Sequence, residues 1–304
     1  MKRINALLLL LLLPFLSFSW HANGHMTCGA VAYYYLKANN PATLAKVLAI
    51  FKRHPWFTTA RWHDKLSGLT EEQKNVTLFM LASTFPDDAR SVPGLGGPIL
   101  AKWHFIDYPF VPAGQSVHAP APEMPNAEEK INELISSINT EPNAAQKAID
   151  LCWLFHLVED IHQPLHAASM FNSGHPTGDR GGNETYIRLT ASTQPVILHS
   201  YWDDLVKGTL SNIPSHAQNL LHNPKYKETN LPELQTNVNV NDWIVKESFA
   251  YAKTNAYLNG AVKGSKTAPT SVSTGYANTA GALAEKRVVL AGIRLAKKLA
   301  QIIH

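Results

Sequence analysis

Cysteine is scarce: Cys28 and Cys152 are the two in 304 residues. Two cannot build a disulfide framework, and one bridge or a pair of buried thiols are equally open. An excess of charge of either sign is also missing. Lys and Arg number 27 against 23 Asp and Glu, and the net charge of +4 falls to about +2 once Lys2 and Arg3 are removed, so no electrostatic footprint points to a nucleic acid or a membrane. The one apolar block, LLLLLLLPFLSF, is shorter than the roughly 20 residues a spanning helix needs, which argues against a membrane anchor. Long alternating patterns are lacking too, which argues against a large sheet. No internal repeat and no linker divide residues 20–304, which read as a single domain.

What is present begins with a leader. Lys2 and Arg3, the apolar block, then Ser17 and Ser19 form a secretory signal peptide over residues 1–19, implying a secreted or periplasmic protein. Cleavage after Ser19 makes Trp20 the first residue of FSWHANGH's remainder and sets His25 close behind it. Beyond the leader, apolar residues recur at helical spacing over 26–37, 71–84, 127–138, 143–162, 243–258 and 279–303, predicting a mainly α multi-helix bundle. Residues 183–200 differ: two β-branched runs flank a polar turn, as in a small hairpin. The stretch 260–275 reads as a surface excursion.

Histidine is abundant, fourteen in all, and its spacing matters more than its number. In WLFHLVEDIHQPLH, His156 and Asp160 stand four apart, so both project from one helix face. Trp153, Leu154, Phe155, Leu157, Val158 and Ile161 make that helix apolar nearly all round, which predicts burial, and buried His and Asp need partners. Pro164 ends the helix and lets His166 return toward the same face. The i, i+4 pair recurs as His199 and Asp203 in LHSYWDD. Asp87 in FPDDAR, His104 in WHFIDYP and His25 are further candidates. A His/Asp set without cysteine suits catalytic zinc, where a coordination position stays open for water or substrate.

These motifs, with GDRGGN at 178–183, resemble the zinc-dependent single-strand nucleases typified by the fungal nucleases S-one and P-one and the plant bifunctional nucleases. The likeness runs in order from Trp20 to about Asp204. It implies a helical domain with a small β-hairpin and a cleft holding three Zn2+ ions. By resemblance, one ion takes Asp87, His104 and His156, and a second takes His166, His199 and Asp203. A third takes His25 with the free α-amino group and carbonyl of Trp20, while Asp160 bridges it to the first. The placement of Trp20 at the cut then has a reason, since only a terminal residue offers an amine. The resemblance also implies that Asp87 orients the attacking water, Arg90 holds a phosphoryl oxygen, Phe105 stacks a base and Asp107 accepts from its edge.

The substrates so implied are single-stranded DNA and RNA and 3′-nucleotides, cleaved at the P–O3′ bond to leave 5′-phosphates; no protein partner is implied. A secreted zinc-dependent phospholipase C, with the same three-zinc helical architecture, is the alternative. Three readings concern supporting residues. His162 faces away from the His156/Asp160 pair, as a packing residue or a support for the ligands. GDRGGN is a glycine-dependent turn beneath the hairpin. Glu159 stands where the family more often has glycine, and a solvated carboxylate is expected there.

Overall fold

A computed structural model describes residues 20–90, 92, 98–191 and 193–303. The expected leader lies outside the described residues, as do residues 93–97 of the Gly- and Pro-rich loop. Helix accounts for 61 % of the structure and strand for 5 %, in agreement with the mainly α expectation. The helices are α1 (Ala22–Asn39), α2 (Pro41–Phe51), α3 (Ala60–Leu66), α4 (Glu71–Ala89), α5 (Pro98–Ala101), α6 (Ala127–Ser137), α7 (Ala144–Asp160), α8 (Leu198–Asp203), α9 (Ile213–His222), α10 (Glu233–Thr236), α11 (Val240–Asp242) and α12 (Thr274–Ile302).

Local chemistry sets the helix starts. Thr70 and Gln73 close a capping box on α4, and Asn126 and Glu129 close one on α6. Asn40 accepts from the Thr43 N–H with Pro41 next in the chain, so α2 begins where α1 stops. The continuous helix expected over 243–258 is instead wound as π-turns at Trp243–Phe249 and Ala252–Ala256. The wider turn accompanies a buried polar cluster: Ser248 Oγ lies 2.6 Å from Arg287 Nη2, and Glu247 pairs with Arg287 and Arg294.

Helix α1 packs between α4 and α12, with α9 alongside. The approach is close enough to require glycine. A Cβ on Gly29 would lie 2.5 Å from Ser83 Oγ and 2.8 Å from the Phe79 carbonyl, and one on Gly292 would meet Val31 at 2.5 Å. Helix α7 lies against α4 and α12, and every residue from Leu151 to Asp160 is buried. Its apolar circumference thus has the central position that the sequence predicts. Cys28 and Cys152 are both buried free thiols.

Two small sheets attach the remaining segments. Strand β1 (Tyr108–Phe110) pairs in parallel with β2 (Ala168–Met170), Tyr108 opposite Ala168. That pairing ties the segment after His104 to the one after His166. The expected hairpin forms: β3 (Tyr186–Arg188) runs antiparallel to β4 (Val196–Ile197), with Tyr186 opposite Ile197, and leads directly into α8. The 260–275 stretch is more than a surface excursion, because its β5 (Thr270–Ser271) joins β3 in parallel.

Candidate active site

Among the described residues, three groups of side chains each bring their donor atoms within 4.8 Å of one another: His25, His156 and Asp160; Asp87, His104 and His156; His166, His199 and Asp203. They come from α1, α4, the turn after α5, α7, the turn after α7, and α8. Asp160 stands at the centre. Its Oδ2 is 3.0 Å from His104 Nδ1 and 3.2 Å from His156 Nε2, and its Oδ1 is 3.5 Å from both His25 Nε2 and His166 Nδ1. The side chain is fully buried.

Main-chain carbonyls orient three of the rings. His156 Nδ1 donates to the Ser83 carbonyl at 2.8 Å, His166 Nδ1 to the His104 carbonyl at 2.7 Å, and His199 Nδ1 to the Gly181 carbonyl at 2.6 Å. With the proton on Nδ1, each ring presents an Nε2 lone pair to its group, the form a cation requires. The GDRGGN turn has a part in this. Gly181 adopts φ +65°, and a Cβ there would stand 2.6 Å from the Leu165 carbonyl, so only glycine brings that carbonyl to His199. Gln163, in HQPLH, donates to Asp203 Oδ1 at 2.8 Å.

The electrostatics fit a cation. Burial pushes His166 down to about 3 and lowers His104, keeping both rings neutral. Burial works to raise Asp160, but His156, His166 and His104 hold its carboxyl well below the usual range. Asp203 is pushed up to about 7 by burial, with His199 and Gln163 opposing; a bound cation reverses that shift. His25 is the exception: burial opposes protonation, but the nearby carboxylates of Asp160 and Glu159 outweigh it and raise the ring to about 10, so a cation bound there must displace its proton. Asp87, partly buried, is brought down to about 2 by His156 and Arg90 against the desolvation that acts to raise it, with Arg90 Nη2 2.7 Å from Asp87 Oδ1. His166 Nε2, Asp160 Oδ1 and Asp203 Oδ2 are buried and make no hydrogen bond among the described residues. A divalent cation satisfies such atoms, and nitrogen and oxygen donors without sulfur suit zinc at a hydrolytic centre.

The family profile described as S1/P1 Nuclease matches residues 20–304. The chain belongs to the S1/P1 nuclease family. It is therefore a hydrolase acting on nucleic acid, in a family that is zinc-dependent in general. No curated protein matches this nuclease. No helix among its described residues is long and apolar enough to cross a membrane.

The nuclease places the other expected site residues around this centre. Phe105 and Asp107 line a cleft of ≈ 220 Å³ with Phe171, Ser169, Asn126 and Arg180. Burial, with Asp179 adding, pushes Asp107 up to about 6. Trp20 is buried, and its indole Nε1 donates to the Glu159 carbonyl at 3.2 Å. Gly24 makes room for that ring, since a Cβ there would be 2.9 Å from Trp20 Cε3.

His162 is buried outside the three groups, with Nδ1 on the Val158 carbonyl and Nε2 2.9 Å from Arg294. Glu159 requires a correction. It is not solvated but fully buried, with Oε2 2.7 Å from His25 Nδ1 and Oε1 accepting from Ser83 Oγ at 2.7 Å. The signal was there to read, because a helix apolar all round leaves no exposed face for a carboxylate. Ser83 and Gln163, which sequence reasoning passed over, carry no comparable signal.

Proposed function

We propose that this nuclease is a zinc-dependent single-strand endonuclease and 3′-nucleotidase that cleaves the P–O3′ bond of DNA and RNA and leaves 5′-phosphate products. The observation that carries the reading is the buried convergence of four imidazoles on Asp160, flanked by a second complete donor set at His166, His199 and Asp203. Asp87, His104 and His156 would hold one Zn2+, His166, His199 and Asp203 a second, and His25 with the amine and carbonyl of Trp20 a third, with Asp160 serving the first and third together. When bound, the ions acidify water and neutralise phosphoryl charge.

The protein's own groups do the rest. Asp87, 29 % exposed where His104 and His156 are buried, is the member of its set open to solvent and orients the attacking water. Arg90 beside it donates to a phosphoryl oxygen, a task suited to its planar fork. Phe105 stacks a base and Asp107 accepts from its edge; stacking tolerates every base because each has a π-face. Strand selectivity follows, because a base in that cleft must first leave a duplex. Removal of residues 1–19 on export to the periplasm or medium creates the Trp20 amine.

Metal analysis of the purified protein, with hydrolysis of denatured DNA, RNA and a 3′-nucleotide before and after chelation, tests the reading. Three equivalents of zinc and chelator-sensitive release of nucleotides are expected, with no turnover in His156→Ala or Asp160→Ala. Hydrolysis of phosphatidylcholine with no nucleotide released from denatured DNA or RNA would overturn it in favour of the phospholipase.

A further inference from the structure

The rings of His156, His166 and His199 are oriented by main-chain carbonyls. His25 differs, since its Nδ1 meets a side-chain carboxylate, Glu159, at 2.7 Å. That carboxylate is itself fixed. Its second oxygen accepts from Ser83 Oγ at 2.7 Å, and Ser83 uses its main-chain carbonyl to orient His156. The main-chain carbonyl of Glu159 takes the Trp20 indole at 3.2 Å. One residue thus touches both Trp20 and His25, although α7 carries it and more than 130 positions separate them.

We infer that Glu159 is a positioning residue for the terminal metal site: its carboxylate holds the His25 ring with Nε2 toward Asp160, while its carbonyl seats Trp20. This rests on the three-ion reading of the centre. A glycine at this position would supply the carbonyl but has no carboxylate to offer His25. A carboxylate that accepts the Nδ1 proton fixes the tautomer, makes Nε2 the donor atom and increases its basicity. It also sets a second acidic side chain beside Asp160, next to an incoming cation. A role in packing alone would be served by an apolar side chain, which avoids the cost of burying a carboxylate.

Glu159→Gln keeps the shape and removes the charge. Zinc binding to the full mature protein, resolved by competition with a chelator, is read together with nitrogen NMR of the imidazoles; loss of a signal in His25→Asn assigns that ring. Circular dichroism and chelated melting confirm the fold. The wild type is expected to bind three equivalents with His25 protonated at Nδ1 alone. The variant should retain two at wild-type affinity, bind the third about 10–100-fold more weakly, and show His25 as mixed tautomers. Ser83→Ala, which frees one oxygen of Glu159, should weaken the same equivalent by a smaller factor, and it decides the matter if Glu159→Gln does not fold. Three equivalents at wild-type affinity with a single His25 tautomer in the variants would overturn the role of Glu159 and leave the metal reading intact. A wild-type protein with no zinc at the His25 set would overturn both.

Discussion

Glu247→Gln removes one negative charge from a cluster where two guanidiniums are buried. Glu247, 2 % exposed, lies against Arg287 and is 2.9 Å from Arg294 Nη1 and 2.6 Å from Arg294 Nη2, with Asn237 donating at 2.7 Å. Burial works to raise its pKa, but Arg287 and Arg294 outweigh it and lower the value from 4.5 to about 2. That difference corresponds to about 3 kcal/mol of stability at pH 7, the lower end of the range of about 3–5 kcal/mol for breaking a buried pair. At roughly 2.1 cal/mol/K of unfolding entropy per residue, the melting temperature should fall by about 5 °C.

The folded pKa is depressed, so this stabilisation is present above pH 4.5 and is lost as pH falls through about 2. Protonated Glu247 resembles glutamine, and the gap between wild type and variant should narrow to about 1 kcal/mol at pH 3. Urea unfolding in chelator at several pH values reads this free of metal linkage. A variant within about 0.5 kcal/mol of wild type at pH 7, the level of an ordinary surface substitution, or a gap that does not change with pH, would refute the assignment of stability to this pair.

Gly292→Ala should cost about 1–3 kcal/mol in urea unfolding, because its Cβ would be 2.5 Å from Val31; an unchanged midpoint would mean that α1 and α12 are not in close contact. Phe105→Ala should raise the KM for nucleotide substrates with zinc content unchanged, since stacking contributes about 1–3 kcal/mol per base. Identical kinetics on every nucleotide would leave Phe105 as a packing residue. One alanine added before Trp20 turns its amine into an amide, a far poorer ligand, and should lower both zinc content and hydrolysis of single-stranded DNA. Equal zinc and equal rates in the two forms would remove Trp20 from the ligand set.

Much of the centre was legible in the sequence because its signals are local. Four-residue spacing puts His156 with Asp160, and His199 with Asp203, on single helix faces whatever surrounds them. The periodicity of the main helices and the short hairpin at 183–200 depend only on neighbours in the chain. Glu159 was half legible: its helix announced burial, but nothing nearby in sequence named His25 or Ser83 as its partners.

Helices α2 and α3, the π-turns at Trp243–Phe249 and the parallel pair β1–β2 escaped a reading of the chain alone. The last joins strands 60 positions apart, here Tyr108 with Ala168, and no local pattern encodes such a pairing. The sequence by itself determined the donor types, their spacing within each element and the glycines that permit close approach. Tertiary structure decided which donors share a site, that Asp160 lies among four rings and that Glu159 is inside, because burial and long-range hydrogen bonds exist only after α1, α4, α7 and α12 have packed together.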